Sequence, residues 1–480
     1  QALSKGNKPV LTDQDQLIWQ RMKMYADFFK YSYAGDFKKV KRLYKTGKID
    51  LNDRDRDDRT VLEIAARGGH FEMIQFFLKK GVESEIEDGN MNEALITAAR
   101  TGNLELMEFL LKNGGDIHFR DDESNTLLIL ASSSGSLPLV KYLVEKGIGI
   151  SEVNKSGMSA LIYAAGNGNV DIVKFLIDRK ARINPVYPYT ISALTWAVIK
   201  DQFKIVKFLA ENGAEVDHQD DDSRTTLMYA AAKGNLSLVK FLVEDHYAKV
   251  NIKTRRQTTA IMAAAMGGNL DIVKFLIEHG AEVDHRSIDN ESALVWADGS
   301  NTELVKFLVE QGAGLDAVNR QGQTALHLAI DHHNLELVQF LVEQGASITI
   351  RDNHGHTPLM FAVIRKNDEI AKRLIEKGSD IHARDHHDKN ILMVASEKGM
   401  LDIVTLLVDL GVSVLGTNDR GQTALMFAIE SKNFDLIKYL VEQGSDLKAK
   451  DDQSWDLIRY AISSRSREIE MYIVQVTNKN

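Results

Sequence analysis

The chain has 480 residues, 44% hydrophobic and 26% charged, with a formal net charge of −9. This balance fits a folded protein and includes no run near the roughly 18 apolar residues of a membrane span; with no basic face evident, neither a general nucleic-acid binder nor an anionic-membrane binder is expected. The absence of cysteine removes disulfides, thiolate metal sites and cysteine nucleophiles. Together with a first residue Gln1, it suits an exported protein, for instance in a bacterial periplasm, as readily as a cytoplasmic one.

Residues 1–11 read as a polar leader. Thr12 and Asp13 are helix-capping types, and Ile18, Met22, Tyr25 and Phe29 follow at intervals of four, three and four, marking one apolar helical face. A second helix with Lys38, Lys39, Lys41 and Arg42 comes next, so residues 12–56 are expected to form an N-terminal cap whose outer face meets water.

From residue 57 a period of 33 residues takes over. Its marker positions are Leu62, Leu95, Leu128, Leu161, Leu194, Leu227, Ile261, Leu294, Leu326, Leu359, Leu392 and Leu425. Three residues after each comes an alanine: Ala65, Ala98, Ala131, Ala164, Ala197, Ala230, Ala264, Ala297, Ala329, Ala362, Ala395 and Ala428. Each unit pairs two short helix patterns, with a branched stripe such as Leu337, Val338, Leu341 and Val342 on the second. One unit alone leaves that stripe uncovered, and stacking its neighbours covers it. At roughly 8–10 Å between neighbouring helices, some fourteen stacked units would extend on the order of 130 Å.

The period slips twice. Glu244-Asp245-His246-Tyr247-Ala248 adds one residue and loses the glycine that ends a helix in a left-handed conformation. Ala297-Asp298-Gly299-Ser300-Asn301 is one residue short. A change of curvature or a hinge is expected over residues 244–301. Residues 57–450 thus divide into twelve units, and 451–480 hold a terminal unit, with Ile458 and Ala461 in register, and a tail.

The length of the unit, Gly355-His356-Thr357-Pro358-Leu359 at its start and Leu341-Val342 with Gly345-Ala346 at its end resemble the ankyrin repeat, a turn plus two antiparallel helices. The resemblance covers nearly the whole chain. It implies an all-α solenoid of stacked helix-turn-helix units with hairpin-like fingers, capped at both ends. It also implies that a protein partner binds on the concave side, formed by the fingers and first helices.

The position two residues past each marker faces that side in the family. Here it carries Tyr163, Trp196, Tyr229 and Trp296 in the middle of the chain, rings of the type that anchor interfaces, although half-buried packing would explain them equally. The finger Asn184-Pro185-Val186-Tyr187-Pro188-Tyr189-Thr190 departs from its polar neighbours and holds two of the five prolines, which stiffen a loop and lower the entropy lost on binding. Tyr163, Tyr187, Tyr189, Trp196, Tyr229 and Trp296 are the candidate partner-binding residues. Lys141, Lys174, Lys207, Lys240, Lys274 and Lys306 form a row, but glutamates such as Glu145, Glu244, Glu278 and Glu310 four residues on mark a solvated helix face.

His327 matches the family's structural histidine. His354, His356, His386 and His387, near Asp352, Asp385 and Asp388, are of metal-ligand type, but their finger-tip placement gives them no specific metal site. No cofactor is implied. Asp331-His332-His333 and Asp385-His386-His387 fall in turns, and no nucleotide-binding loop, nucleophile elbow or zinc-protease pair is present, so catalysis is not expected. The chain reads as a non-enzymatic, monomeric protein-interaction module serving as scaffold, adaptor or inhibitor. A small-ligand or metal-responsive receptor through the His-rich fingers and a structural spacer remain the alternatives.

Overall fold

The computed structural model of the chain describes residues 13–80 and 88–479. The expected leader and the Thr12 cap lie outside those residues. Regular structure among the described residues is helical, apart from isolated β-bridges. The chain divides into two compact units, residues 1–221 and 222–480. The first starts with helices Asp13–Tyr33 and Phe37–Tyr44 and continues in helix pairs, from Val61–Arg67 with Phe71–Lys79 to Ala193–Ile199 with Phe203–Glu211. The second repeats the pair from Thr226–Ala232 onward to Leu457–Ser463 with Arg467–Lys479.

Local chemistry sets where each helix starts. Two residues before the marker, Thr60, Thr126 and Thr357 accept from the backbone N–H groups of Glu63, Ile129 and Met360 at 3.2–3.3 Å, satisfying a donor that the first turn leaves orphaned. Asn390 does the same for Met393 at 2.9 Å. Several second helices are capped by asparagine: Asn334 Oδ1 accepts from Leu337 N, while its amide donates to Gly299 O of the preceding repeat at 3.2 Å. Asn433 repeats the arrangement with Leu436 N and Gly399 O. One side chain thus both begins a helix and joins two repeats.

Every marker leucine or isoleucine and every paired alanine is at most 1% exposed. Marker and alanine lie three apart on one helical face, where the first helices of successive repeats pack together. The fingers add a backbone ladder with the period of the sequence: Lys155 N–H donates to Glu123 O, and Asn353, His386, Asp419 and Asp452 donate to Gln321, His354, His387 and Arg420. Within fingers, bridges such as Val153–Ser159 and Thr417–Thr423 give the hairpin-like form.

Both slips lie inside the second unit and are absorbed locally. The extra residue becomes a π-helical turn, Phe241–Asp245, following helix Leu236–Lys240. The closing bond that elsewhere spans five residues, as from Ala281 N–H to Leu276 O, here spans six, from Ala248 N–H to Leu242 O. Tyr247 takes the left-handed place of the missing glycine, with φ 54° beside 86° and 91° at Gly280 and Gly312. The missing residue shortens a first helix to Ala293–Trp296. Gly299 then lies so close to the next repeat that a Cβ there would sit 2.3 Å from the Leu328 carbonyl. The division between units falls at Asp221/Asp222, ahead of the 244–301 stretch.

Two expectations need correction. In helix Asp13–Tyr33 the inward face centres on Phe28 and Ser32, while Ile18 and Met22 are exposed. Spacing identified an apolar stripe, but the short partner helix Phe37–Tyr44 covers only the C-terminal part of it. The lysine row is also held differently. Lys207 pairs with Glu211 at 3.9 Å. Lys141, Lys174, Lys240, Lys274 and Lys306, however, lie over phenylalanine rings of the following repeat, Phe175, Phe208, Phe275, Phe307 and Phe340, at 5.4–5.9 Å. Lys306 also pairs with Glu336 of the following repeat, so these contacts run across repeats rather than along one helix.

Urea unfolding of two variants tests how the slips are absorbed. Tyr247→Gly relieves a left-handed tyrosine that is 83% exposed and raises stability by about 1 kcal/mol. Gly299→Ala forces backbone apart and costs about 2–4 kcal/mol.

Candidate functional site

The finger around Tyr187 is built unlike its neighbours. Seven residues before the marker, other described fingers carry a side chain that braces its own turn. Asp121 Oδ1 accepts from Glu123 N and Asn125 N at 3.1 and 2.8 Å, and Asn154 Oδ1 from Ser156 N and Met158 N at 3.0 and 2.9 Å. Tyr187 occupies that position and has no group to do this. One residue on, where Lys155 donates to the preceding finger, Pro188 has no N–H.

Support comes from both sides instead. Asn184 Oδ1 accepts from Glu215 N at 2.9 Å, and its amide donates to Gly213 O at 3.4 Å. Pro185 and Val186 close on the preceding finger, leaving a gap of only about 10 Å³. His218 Nε2 lies 2.7 Å from Thr190 O, so it donates and is the protonated nitrogen. Tyr189 forms a parallel bridge to Asp220 with φ 72°, a left-handed conformation costly for a bulky residue. The base of the finger is pinned, while Tyr187 and Tyr189 at its tip are 54% and 51% exposed.

Tyr163, Trp196, Tyr229 and Trp296 are each half-buried. Trp196 rests on Gly166, where a Cβ would come within 2.0 Å of its Cδ1, and Lys200 Nζ lies 5.2 Å from its ring centre. Tyr163 Oη sits 3.4 Å from Asn154 Nδ2. These contacts make Trp196 and Tyr163 packing residues with one open edge. Tyr187 lies over Gly157, where a Cβ would stand 3.3 Å from Cδ2. Sequence reasoning missed Gly157 and Gly166 as platforms, since only the facing rings reveal what the glycines are for. Tyr229 and Trp296, in the second unit, line a cavity of about 380 Å³.

Of the metal-type residues, the structure brings together Asp352, His354 and His356, whose ligand atoms lie within 4.8 Å of one another. Such a donor set can hold a zinc-like ion. The same Asp352 braces its turn, with Oδ1 accepting from His354 N and His356 N at 2.8 and 2.9 Å and Oδ2 facing His356 Nδ1 at 3.1 Å. Burial alone would raise its pKa, but the N–H groups of His356 and His354 outweigh it and hold the carboxyl below its usual range. His386 is not drawn in; it lies over Gly355. His387 Nδ1 faces Asp419, at 3.9 Å.

These features define a helical-repeat protein with one aromatic, proline-stiffened finger among polar ones. Family models described as ankyrin repeats match residues 28–121, 95–187, 227–317, 261–352, 295–385, 359–451 and 391–476 in sets of three copies, and 194–243 in a many-copy form. The chain belongs to the ankyrin-repeat family, whose repeats generally mediate protein–protein interactions. A curated protein named "Putative glutaminase 2", from Caenorhabditis elegans, is 50% identical over 50 residues, 10% of this chain and 8% of that protein's length. A match of that size carries no catalytic assignment here. Among the described residues no helix is long and apolar enough to cross a membrane.

His327 is fully buried and part of a helix cap: its Nδ1 faces Thr324 N and Oγ1 at 3.3 and 3.0 Å, and Nε2 faces His356 O at 3.4 Å. Thr324 N–H can only donate, so Nδ1 accepts and the ring is neutral with its proton on Nε2. Burial pushes its pKa below the usual 6.5, more than the His356 carbonyl and Asp352 raise it. The unfolded chain therefore binds the extra proton first; this contribution to stability is complete above about pH 6.5 and is lost as the pH falls toward the folded pKa. His327→Gln keeps a Thr-x-x-Gln capping box and removes the titration. Urea unfolding at pH 7 and pH 5 should show a smaller acid loss in the variant than in the wild type.

Proposed function

We propose that this chain is a non-enzymatic binding module whose protein partner engages the concave side, anchored on the finger of residues 184–190 with Tyr163 and Trp196 beside it. The observation that carries this reading is the exposure of Tyr187 and Tyr189 on a finger whose base is held from both sides. Exposed rings on a preorganised support give contact area with little ordering cost. The absence of a catalytic motif in the sequence and the short connections between described helices support a role without catalysis.

The test is affinity capture from cells of the source organism with wild type beside Tyr187→Ser/Tyr189→Ser. Both residues are at the surface, so the unfolding free energy of the double variant in urea should stay within about 1 kcal/mol of wild type. A protein held stoichiometrically by wild type and bound roughly tenfold or more weakly by the variant is the expected result. Identical proteins on both would place the interface elsewhere. Trp196 is left intact because its packing on Gly166 would confuse a loss of binding with a loss of fold.

A further inference from the structure

The position two residues past the marker reads Tyr229, Ala263 and Trp296 in three successive repeats of the second unit: a ring, a methyl group and a ring. The alanine leaves a space, and the cavity of about 380 Å³ lies there, with Met266 on its wall. This is at the small end of the roughly 300–1,000 Å³ typical of ligand pockets, suited to one large side chain. Met266 is 61% exposed, an adaptable thioether left at the surface beside two half-buried rings.

The rim is basic. Arg224, Arg255, Arg256 and Arg320 line it, with Asp222 as the one carboxylate in the lining. Arg224 pairs with Asp222 at 3.1 Å, while Arg256 and Arg320 share Asp289, the latter at 3.2 Å. Two guanidinium groups, from neighbouring fingers, thus share the one carboxylate of Asp289. The chain's net charge is −9 and the finger that carries Arg224 itself holds Asp220-Asp221-Asp222, so the positive charge of the rim rests on Arg256 and Arg320.

We propose that this slot docks an extended peptide segment of a partner protein, seating one aromatic or large aliphatic side chain between Tyr229 and Trp296 and an adjacent Asp or Glu on the arginine rim. The proposal rests on the reading of the chain as a protein-binding module and adds the chemistry of the bound segment. Guanidinium groups match carboxylates bidentately, and opposite charge fixes the register of a strand across the slot. A nucleic-acid strand fits less well, because the slot admits one group rather than a stack of bases.

The experiment displays random peptides of about ten residues, long enough to cross such a surface, on the full chain. It then measures the best synthetic peptide by fluorescence anisotropy against three variants: Ala263→Trp, which fills the slot at a row position where Trp196 and Trp296 already stand; Arg256→Gln/Arg320→Gln; and Tyr187→Ser/Tyr189→Ser. Unchanged Tm values establish folding, and the exposed arginines serve if the tryptophan variant does not fold. Expected are winners with an acidic residue beside a large apolar one, bound roughly tenfold or more weakly by the first two variants and equally by the third. Peptides without acidic residues, no enrichment, or binding unaffected by the first two variants would overturn the slot. Binding lost only in the Tyr187/Tyr189 variant would overturn it while leaving the finger reading standing. An oligothymidylate strand that binds and is lost on Ala263→Trp, with no acidic peptide selected, would overturn it in favour of nucleic acid.

Discussion

One steric constraint underlies everything else: the residue three past each marker must be small. First helices of adjacent repeats pack against each other, and the alanines, at most 1% exposed, let them approach while the marker leucines fill the layer between. A larger side chain there would overpack the layer, at a cost of typically 1–3 kcal/mol. Because each repeat is completed only by its neighbours, an error in length cannot be ignored. It is absorbed where it occurs, as a π-helical turn at Phe241–Asp245 or as a short helix relieved by Gly299.

The same constraint leaves the finger tips free. Their turns are braced by their own Asp, Asn or Ser side chains and by a backbone ladder, neither of which depends on what the tip presents to solvent. The finger at 184–190 gives up its own brace and is held by Asn184, His218 and close packing instead. The slot beside Ala263 departs in the opposite way, by leaving out a ring rather than adding one. Departures of both kinds sit on a framework that would be stable without them, which makes them the places to look for specificity.

The repeating parts of this fold were legible because they repeat. A leucine or isoleucine and an alanine three apart, seen at twelve positions, identify a buried face more firmly than any single helix pattern could. The Tyr187 finger was legible too, as an exception to a rule that the other fingers state. What escaped the sequence depends on neighbours far along the chain. That the lysine row lies over phenylalanines one repeat away needs the stacking distance. That Ile18 and Met22 stay exposed needs the length of the helix beside them. The slot is formed by an absence at Ala263 and by arginines from several fingers, so no stretch of sequence contains it. The insertion and deletion were visible as numbers, but a π-turn and a glycine contact are solutions that counting does not choose between.

The most direct test of the central claim, that the departures from the repeat carry recognition while the repeat carries stability, is hydrogen–deuterium exchange of the chain with and without a captured partner. New protection concentrated in residues 184–190 is the result predicted for the finger, with the second helices that bear Lys141, Lys174 and Lys274 unchanged. Protection falling mainly on those second helices, with the finger exchanging as before, would contradict it.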